Sequence, residues 1–173
     1  MWSNITFAQP SIEQQMCQPE NISSATPASR FIVMPKRNVV DRQTGLMWRA
    51  CVEGLSGELC DEGEPLQVHW GEALLYPATQ SITQRNNTGG NTDDYNDWRL
   101  PNIRELSTLV ELQCANPAVN SEIFPNTPTT HVWSSSPYNF YTHYSWYVDF
   151  ANGAPTYDLR TAMKNIRLVR DVK

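Results

Sequence analysis

Asp97-Trp98-Arg99-Leu100-Pro101-Asn102 is the stretch that decides how the rest of the chain is read. Pro101 lacks a backbone donor and drives Leu100 towards extended geometry, so Trp98 to Leu100 is expected as a short strand. Asn102 then stands where a helix N-cap belongs, and Glu105 three residues on completes a capping box. Behind it Ile103, Leu106, Leu109, Val110 and Gln113 keep helical spacing, which predicts a helix through that run. The apolar stripe of such a helix needs a surface to pack on, and Trp98 and Leu100 are the nearest partners.

Upstream, Phe31-Ile32-Val33-Met34 reads as a first strand. Val39 to Asp41 and Leu46 to Trp48 flank Arg42-Gln43-Thr44-Gly45, a hairpin whose turn ends in glycine. Trp70, Ala73, Leu74 and Ala78 mark another helix, which Pro77 should kink or end. Downstream the pattern turns to β. Trp146, Val148 and Phe150 alternate with Tyr147 and Asp149, Asn152-Gly153 supplies a hairpin turn, and Thr156 to Leu159 returns. Ile166, Leu168 and Val169 predict a last strand near a sheet centre. Strands, two helices and more strands make an α+β order. The 173 residues suit one domain over residues 30–173. Residues 1–29, rich in Pro, Ser, Gln and Asn without periodicity, read as an extended arm tethered by Cys17.

This ordered set resembles the Lcl C-terminal-domain family. The likeness is carried by Asp97 to Asn102 with Glu105 and Leu106, by Thr44-Gly45-Leu46-Met47-Trp48, and by Asn116-Pro117 through Asn120. Phe124-Pro125-Asn126-Thr127, Trp133-Ser134-Ser135-Ser136, Trp146 to Phe150, Asn152-Gly153 and Arg167 to Arg170 continue it, from Arg30 to Lys173. The resemblance implies a C-type-lectin-like fold, two helices on twisted antiparallel β-sheets with long loops. It makes Trp48, Asp97, Trp98, Arg99, Leu100, Pro101, Asn102, Glu105, Trp133 and Trp146 structural residues. It also implies a bacterial, exported setting, since the family occurs in adhesins and lipoproteins. The formylglycine-generating enzymes share the broad fold, but no motif specific to them occurs here.

Four cysteines allow three pairings. Cys51–Cys60 would close an acidic loop after the Trp48 strand, leaving Cys17–Cys114 to pin the arm. Chain entropy gives about 3 kcal/mol for the short loop and about 4.7 kcal/mol for the long one. The competing reading is four buried thiols in a cytosolic protein. Disulfides imply a periplasmic, cell-surface or secreted protein. No basic region followed by an apolar core opens the chain, so a removed leader is expected ahead of Met1.

The net charge of −5 disfavours nucleic acid as a partner, and no run of about 20 apolar residues suggests a transmembrane segment. No hydrolase, zinc-protease or phosphate-loop motif is present, and His69, His131 and His143 lack local partners. An enzyme is therefore not expected, nor a cofactor. The polar loop Gln84 to Asn96 offers Asn91, Asp93 and Asp94 as calcium ligands, but its spacing is not an EF-hand and such loops also simply form turns. No metal is assigned.

Trp133 to Tyr147 holds seven aromatics among serines, Asn139 and Thr142. Trp133 and Trp146 are expected in the core. Tyr138, Phe140, Tyr141 and Tyr144 fall between strands, where they either fill a layer or face a ligand, and Arg160 and Lys164 are candidate grips for its anionic groups. The function expected is an exported bacterial binding or adhesion module for an extracellular glycan or protein. The alternative is a structural or assembly subunit of a pilus or secretion machine. An enzyme on a formylglycine-generating-type scaffold comes third.

Overall fold

The computed structural model describes residues 15–86 and 95–172. Its elements are β1 (Met16–Cys17), β2 (Phe31–Val33), β3 (Asn38–Asp41), β4 (Leu46–Arg49), β5 (Leu55–Ser56), β6 (Glu62–Gly63), β7 (Gln67–Val68), α1 (Trp70–Asn86) and α2 (Ile103–Ser107). β8 (Cys114–Ala115), β9 (His131–Pro137), β10 (Tyr144–Asp149), β11 (Ala154–Leu159), β12 (Lys164–Asn165) and β13 (Val169–Asp171) follow. A five-stranded sheet runs β11-β10-β9-β12-β7 and a four-stranded one β13-β4-β3-β2; β1 pairs with β8 and β5 with β6. All pairings are antiparallel except β12 with β9. The fold is α+β and C-type-lectin-like, two helices packed on open sheets. No helix of the described residues is long and apolar enough to cross a membrane.

The opening hexapeptide lies where extended geometry was expected, as a single bridge beside β13. Arg99 N–H reaches Val169 O at 2.9 Å and Val169 N–H returns to Arg99 O at 3.0 Å. Asp97 pairs with Arg170 through two bonds of 2.6 and 3.1 Å. The capping box is complete, with Glu105 N–H on Asn102 Oδ1 (3.0 Å) and Asn102 N–H on Glu105 Oε2 (2.8 Å). Trp98 packs with Met47 and Leu168, whereas Leu100 packs with Trp133 and Ile166. Leu106 lies in neither group; it joins Trp48, Leu109, Val132, Val148 and Phe150 in the main core. The expected packing of the helix on Trp98 and Leu100 is thus replaced by three separate clusters.

Both helices depart from the sequence reading. α2 stops at Ser107, because Ser107 and Thr108 hydroxyls bond back to Ile103 and Glu105 carbonyls, a competition that weakens helices. Val110 then bridges to Val119, and Glu111 N–H goes to Ala118 O. Leu109 and Val110 remain buried, but on a turn. α1 instead runs through Pro77 to Asn86. Its buried side is Trp70, Ala73, Tyr76 and Pro77, and Leu74 and Ala78 face outwards. Packing on Trp133 and Ile166 holds the turns of α1 ahead of Pro77.

The single last strand expected from Ile166 to Val169 is two strands. β12 lies between β9 and β7, and β13 pairs with β4 in the other sheet. Arg167 sits between them, fully buried, donating to Arg49 O, Ala50 O and Thr127 Oγ1. Burial draws its pKa down to about 9, against the pull of Glu53.

Both disulfides join the preferred pairs, Cys51 to Cys60 and Cys17 to Cys114. The arm is held a second time by Glu111, which accepts bonds from Ser24 Oγ (2.6 Å), Ala25 N–H (2.9 Å), Thr26 N–H (2.9 Å) and Thr26 Oγ1 (2.8 Å). Burial alone would raise this carboxyl; the four donors overcome it and bring it to about 2. Its folded pKa lies below its unfolded value, so its contribution is full above about pH 4.3 and lost as pH falls towards 2. Denaturant unfolding between pH 5 and 2 should show stability falling by roughly 2–3 kcal/mol from this group. Glu111→Gln should lower stability at pH 7 and flatten that slope; an unchanged slope would refute the assignment.

At the β10–β11 turn Gly153 has φ +79°, and a Cβ there would stand 2.4 Å from Val110 Cγ1. Gly153→Ala should cost about 1–3 kcal/mol in thermal or denaturant unfolding. Asn152→Ala, which removes the bond that Ala154 N–H donates to Asn152 Oδ1 (2.8 Å), should cost less.

Candidate ligand-binding face

The β9–β10 hairpin is irregular at one place. Ser145 pairs with Pro137 but Tyr147 pairs with Trp133, so one residue on β10 faces three on β9. Those three serines are occupied. Ser134 Oγ donates to Trp146 O (2.7 Å), Ser135 N–H goes to Pro101 O (2.7 Å), and Ser136 Oγ accepts Ile103 N–H (3.0 Å). The bulge therefore receives the start of α2 and re-aims Trp146, as bulges do. Trp133 is fully buried, as expected. Trp146 is not: it stands half-buried among the outer rings, which corrects its placement in the core.

Tyr138 is the centre of those rings. It stacks on Tyr157 with centroids 3.8 Å apart and planes at 16°. Trp146 meets its edge at 5.2 Å, Phe140 lies at 5.6 Å and Tyr141 at 6.1 Å. Tyr144 closes the group, 5.7 Å from Tyr141 and 5.9 Å from Tyr157. The loop is shaped by Tyr138 N–H to Tyr144 O and Tyr144 N–H to Tyr141 O, both 3.1 Å. Phe140 is 81% and Tyr141 60% exposed. All four tyrosine-loop candidates from the sequence come together on one end of the five-stranded sheet.

Tyr157 was missed. It lies directly across from Trp146 in the β10–β11 register, and counting outward from the Asn152-Gly153 turn would have found it. A hydrogen bond with Tyr157 raises the Tyr138 hydroxyl above its ordinary pKa.

The two candidate cations behave differently. Arg160 lies on the Ser145 side of the hairpin, its guanidinium 4.2 Å from the Trp70 centroid and its Nε donating to Ser145 Oγ (2.9 Å) and Tyr144 O (3.2 Å). Lys164 is 3% exposed, paired with Asp158 at 2.7 Å and set over the Tyr147 ring at 4.0 Å. It is a buried structural cation and not a surface grip, because the Trp133–Tyr147 layer covers its stem and Asp158 takes its charge. Asn91, Asp93 and Asp94 fall outside the described residues. Among the described residues no His, Cys, Asp and Glu group could hold a metal ion.

Two further features lie away from the rings. A cleft of about 640 Å³ is lined by Val33, Met34, Arg37, Arg49, Glu53 and Glu58, among others. Its Arg49 lies over the Trp98 ring at 4.8 Å. His131 stands 3.5 Å from Lys164 Nζ and 3.8 Å from Asp149 Oδ2.

The model of the Lcl C-terminal domain family matches residues 37–170, well over half of the chain. No curated protein matches it.

His131 tests the charge map. Burial lowers its pKa, Lys164 lowers it further, and Asp149 and Asp158 pull the other way. NMR should find its midpoint below the ordinary histidine value of about 6.5. Lys164→Met should move that midpoint upwards, and a downward move would refute the pairing.

Proposed function

The chain belongs to the Lcl C-terminal domain family, and from that premise we propose that it is an exported bacterial binding or adhesion module. It recognises an extracellular ligand through the Tyr138, Phe140, Tyr141, Tyr144, Trp146 and Tyr157 face, and binds without turning the ligand over. The observation that carries the reading is the exposure of this cluster. Large aromatics usually hide, and Phe140 and Tyr141 instead project from the bulged β9–β10 hairpin. Contiguous exposed apolar surface of this kind marks binding sites, and Tyr and Trp offer wide contact at small entropy cost. Two disulfides support work in the periplasm, at the cell surface or in the medium.

The test is a screen of the full chain against extracellular glycans and host surface proteins, repeated with Phe140→Ala plus Tyr141→Ala. The exposed rings carry little fold stability, so the melting temperature should stay within about 2 °C. Binding should fall at least about tenfold, the loss of roughly 1.4 kcal/mol. Full binding by a folded double variant would remove this face from the account.

A further inference from the structure

We propose that the ligand of this face is an uncharged glycan, held by ring stacking and hydroxyl hydrogen bonds with no ionic grip. The inference rests on the binding role proposed for the aromatic face. It comes from following the Asp, Glu, Lys and Arg side chains that the described residues bring near the loop, where the one basic side chain of the loop itself is the exposed His143.

Residues 138–147 contain no Asp, Glu, Lys or Arg. The basic run after Tyr157 supplies Arg160, Lys164, Arg167 and Arg170, and the fold uses the last three inwardly. Lys164 is neutralised by Asp158, Arg170 by Asp97, and Arg167 is fully buried on carbonyls. Asp158, the acid nearest Tyr157 in sequence, points to the opposite side of β11 and is engaged by Lys164. Arg160 remains at the margin, flat against Trp70 with Nε committed to the hairpin. It can donate to a sugar hydroxyl, but one guanidinium is no cradle for a polyanion.

What the face does present is neutral. Tyr138, Tyr141, Tyr144 and Tyr157 each carry a hydroxyl, and Asn139 and Thr142 are exposed between them. A pyranose ring matches this pattern, with an apolar C–H face to lie on an aromatic ring and an equatorial rim of hydroxyls. A protein anchor would want a dry pocket ringed by contacts that exclude water. Phe140 and Tyr141 stand open on a platform instead.

The experiment is an NMR titration of the full chain with lactose, maltotriose and N-acetylchitotriose as neutral probes. Sialyllactose and a heparin tetrasaccharide are the anionic probes, and each is run at 50 and 500 mM NaCl. A neutral probe should move the resonances of Tyr138 to Trp146 and Tyr157. Its affinity should change less than about twofold with salt, since few ions are displaced. Arg160→Gln should weaken it only a few-fold, and Tyr141→Ala at least about tenfold. If the anionic probes win on the same resonances and lose more than about tenfold at high salt, the neutral-ligand inference is overturned while the aromatic site stands. If probes bind elsewhere and leave those resonances unmoved, the site itself fails. If no sugar binds but a protein partner does so through these rings, the glycan inference is overturned and the binding role survives.

Discussion

The structure depends on one pass of chain, from Asp97 to Leu106, which contributes to every hydrophobic cluster in turn. Trp98 enters the group around Met47 and Leu168, Leu100 the group around Trp133 and Ile166, and Leu106 the main core. The backbone between them is tied on both sides, to Val169 by the Arg99 bridge and to the β9 bulge through Ser135 and Ser136. Arg99 adds a two-point grip on Glu105 at 2.7 and 2.8 Å, so the residue that pairs with β13 also clamps the first turn of α2. Burial works against the Glu105 charge, and Arg99 and the Asn102 N–H together lower its pKa. The two large sheets share no strand, so this pass and the β12–β13 switch join them along the chain, and the main core packs Trp48 of one with Val132 and Val148 of the other.

Where a feature was set by neighbours in sequence, the sequence showed it. The capping box needs only Asn102 and Glu105, the β3–β4 turn needs Gly45, and the short disulfide needs Cys51 near Cys60. Features set by distant partners were not legible in the same way. The end of α2 combines the local hydroxyls of Ser107 and Thr108 with distant partners, Val119 and Ala118, which capture residues 110–111. The alternation rule placed Trp146 inside with Val148 because it assumes an unbroken ladder; the bulge breaks it. Lys164 looked like a surface cation since lysine usually is, and only the Trp133–Tyr147 layer beside it says otherwise.

Residues 15–29 show how a segment of low periodicity becomes part of a fold. They bring little apolar surface, so burial alone would not hold them. A covalent tie at Cys17–Cys114 and the Glu111 carboxylate lie within the same short segment after α2. The disulfide limits where the arm can go in the unfolded chain, and the carboxylate rewards the one place where four donors meet it. The early end of α2 is part of this arrangement, because a longer helix would carry Glu111 round its axis and away from Ser24 to Thr26.

The same economy of charge explains why the aromatic end is free to act. A chain with a basic C-terminal run could have set those side chains around the tyrosines. Here Arg167 and Arg170 lock the strand that switches sheets, and Lys164 fills the layer under Tyr147. The β9–β10 hairpin is thereby supported from inside by Lys164, and its outer rings pack on one another. A surface preorganised in this way loses little entropy when a flat ligand settles on it. Selectivity of the proposed site would then rest on ring spacing and hydroxyl placement, to which the Tyr138–Tyr157 stack contributes.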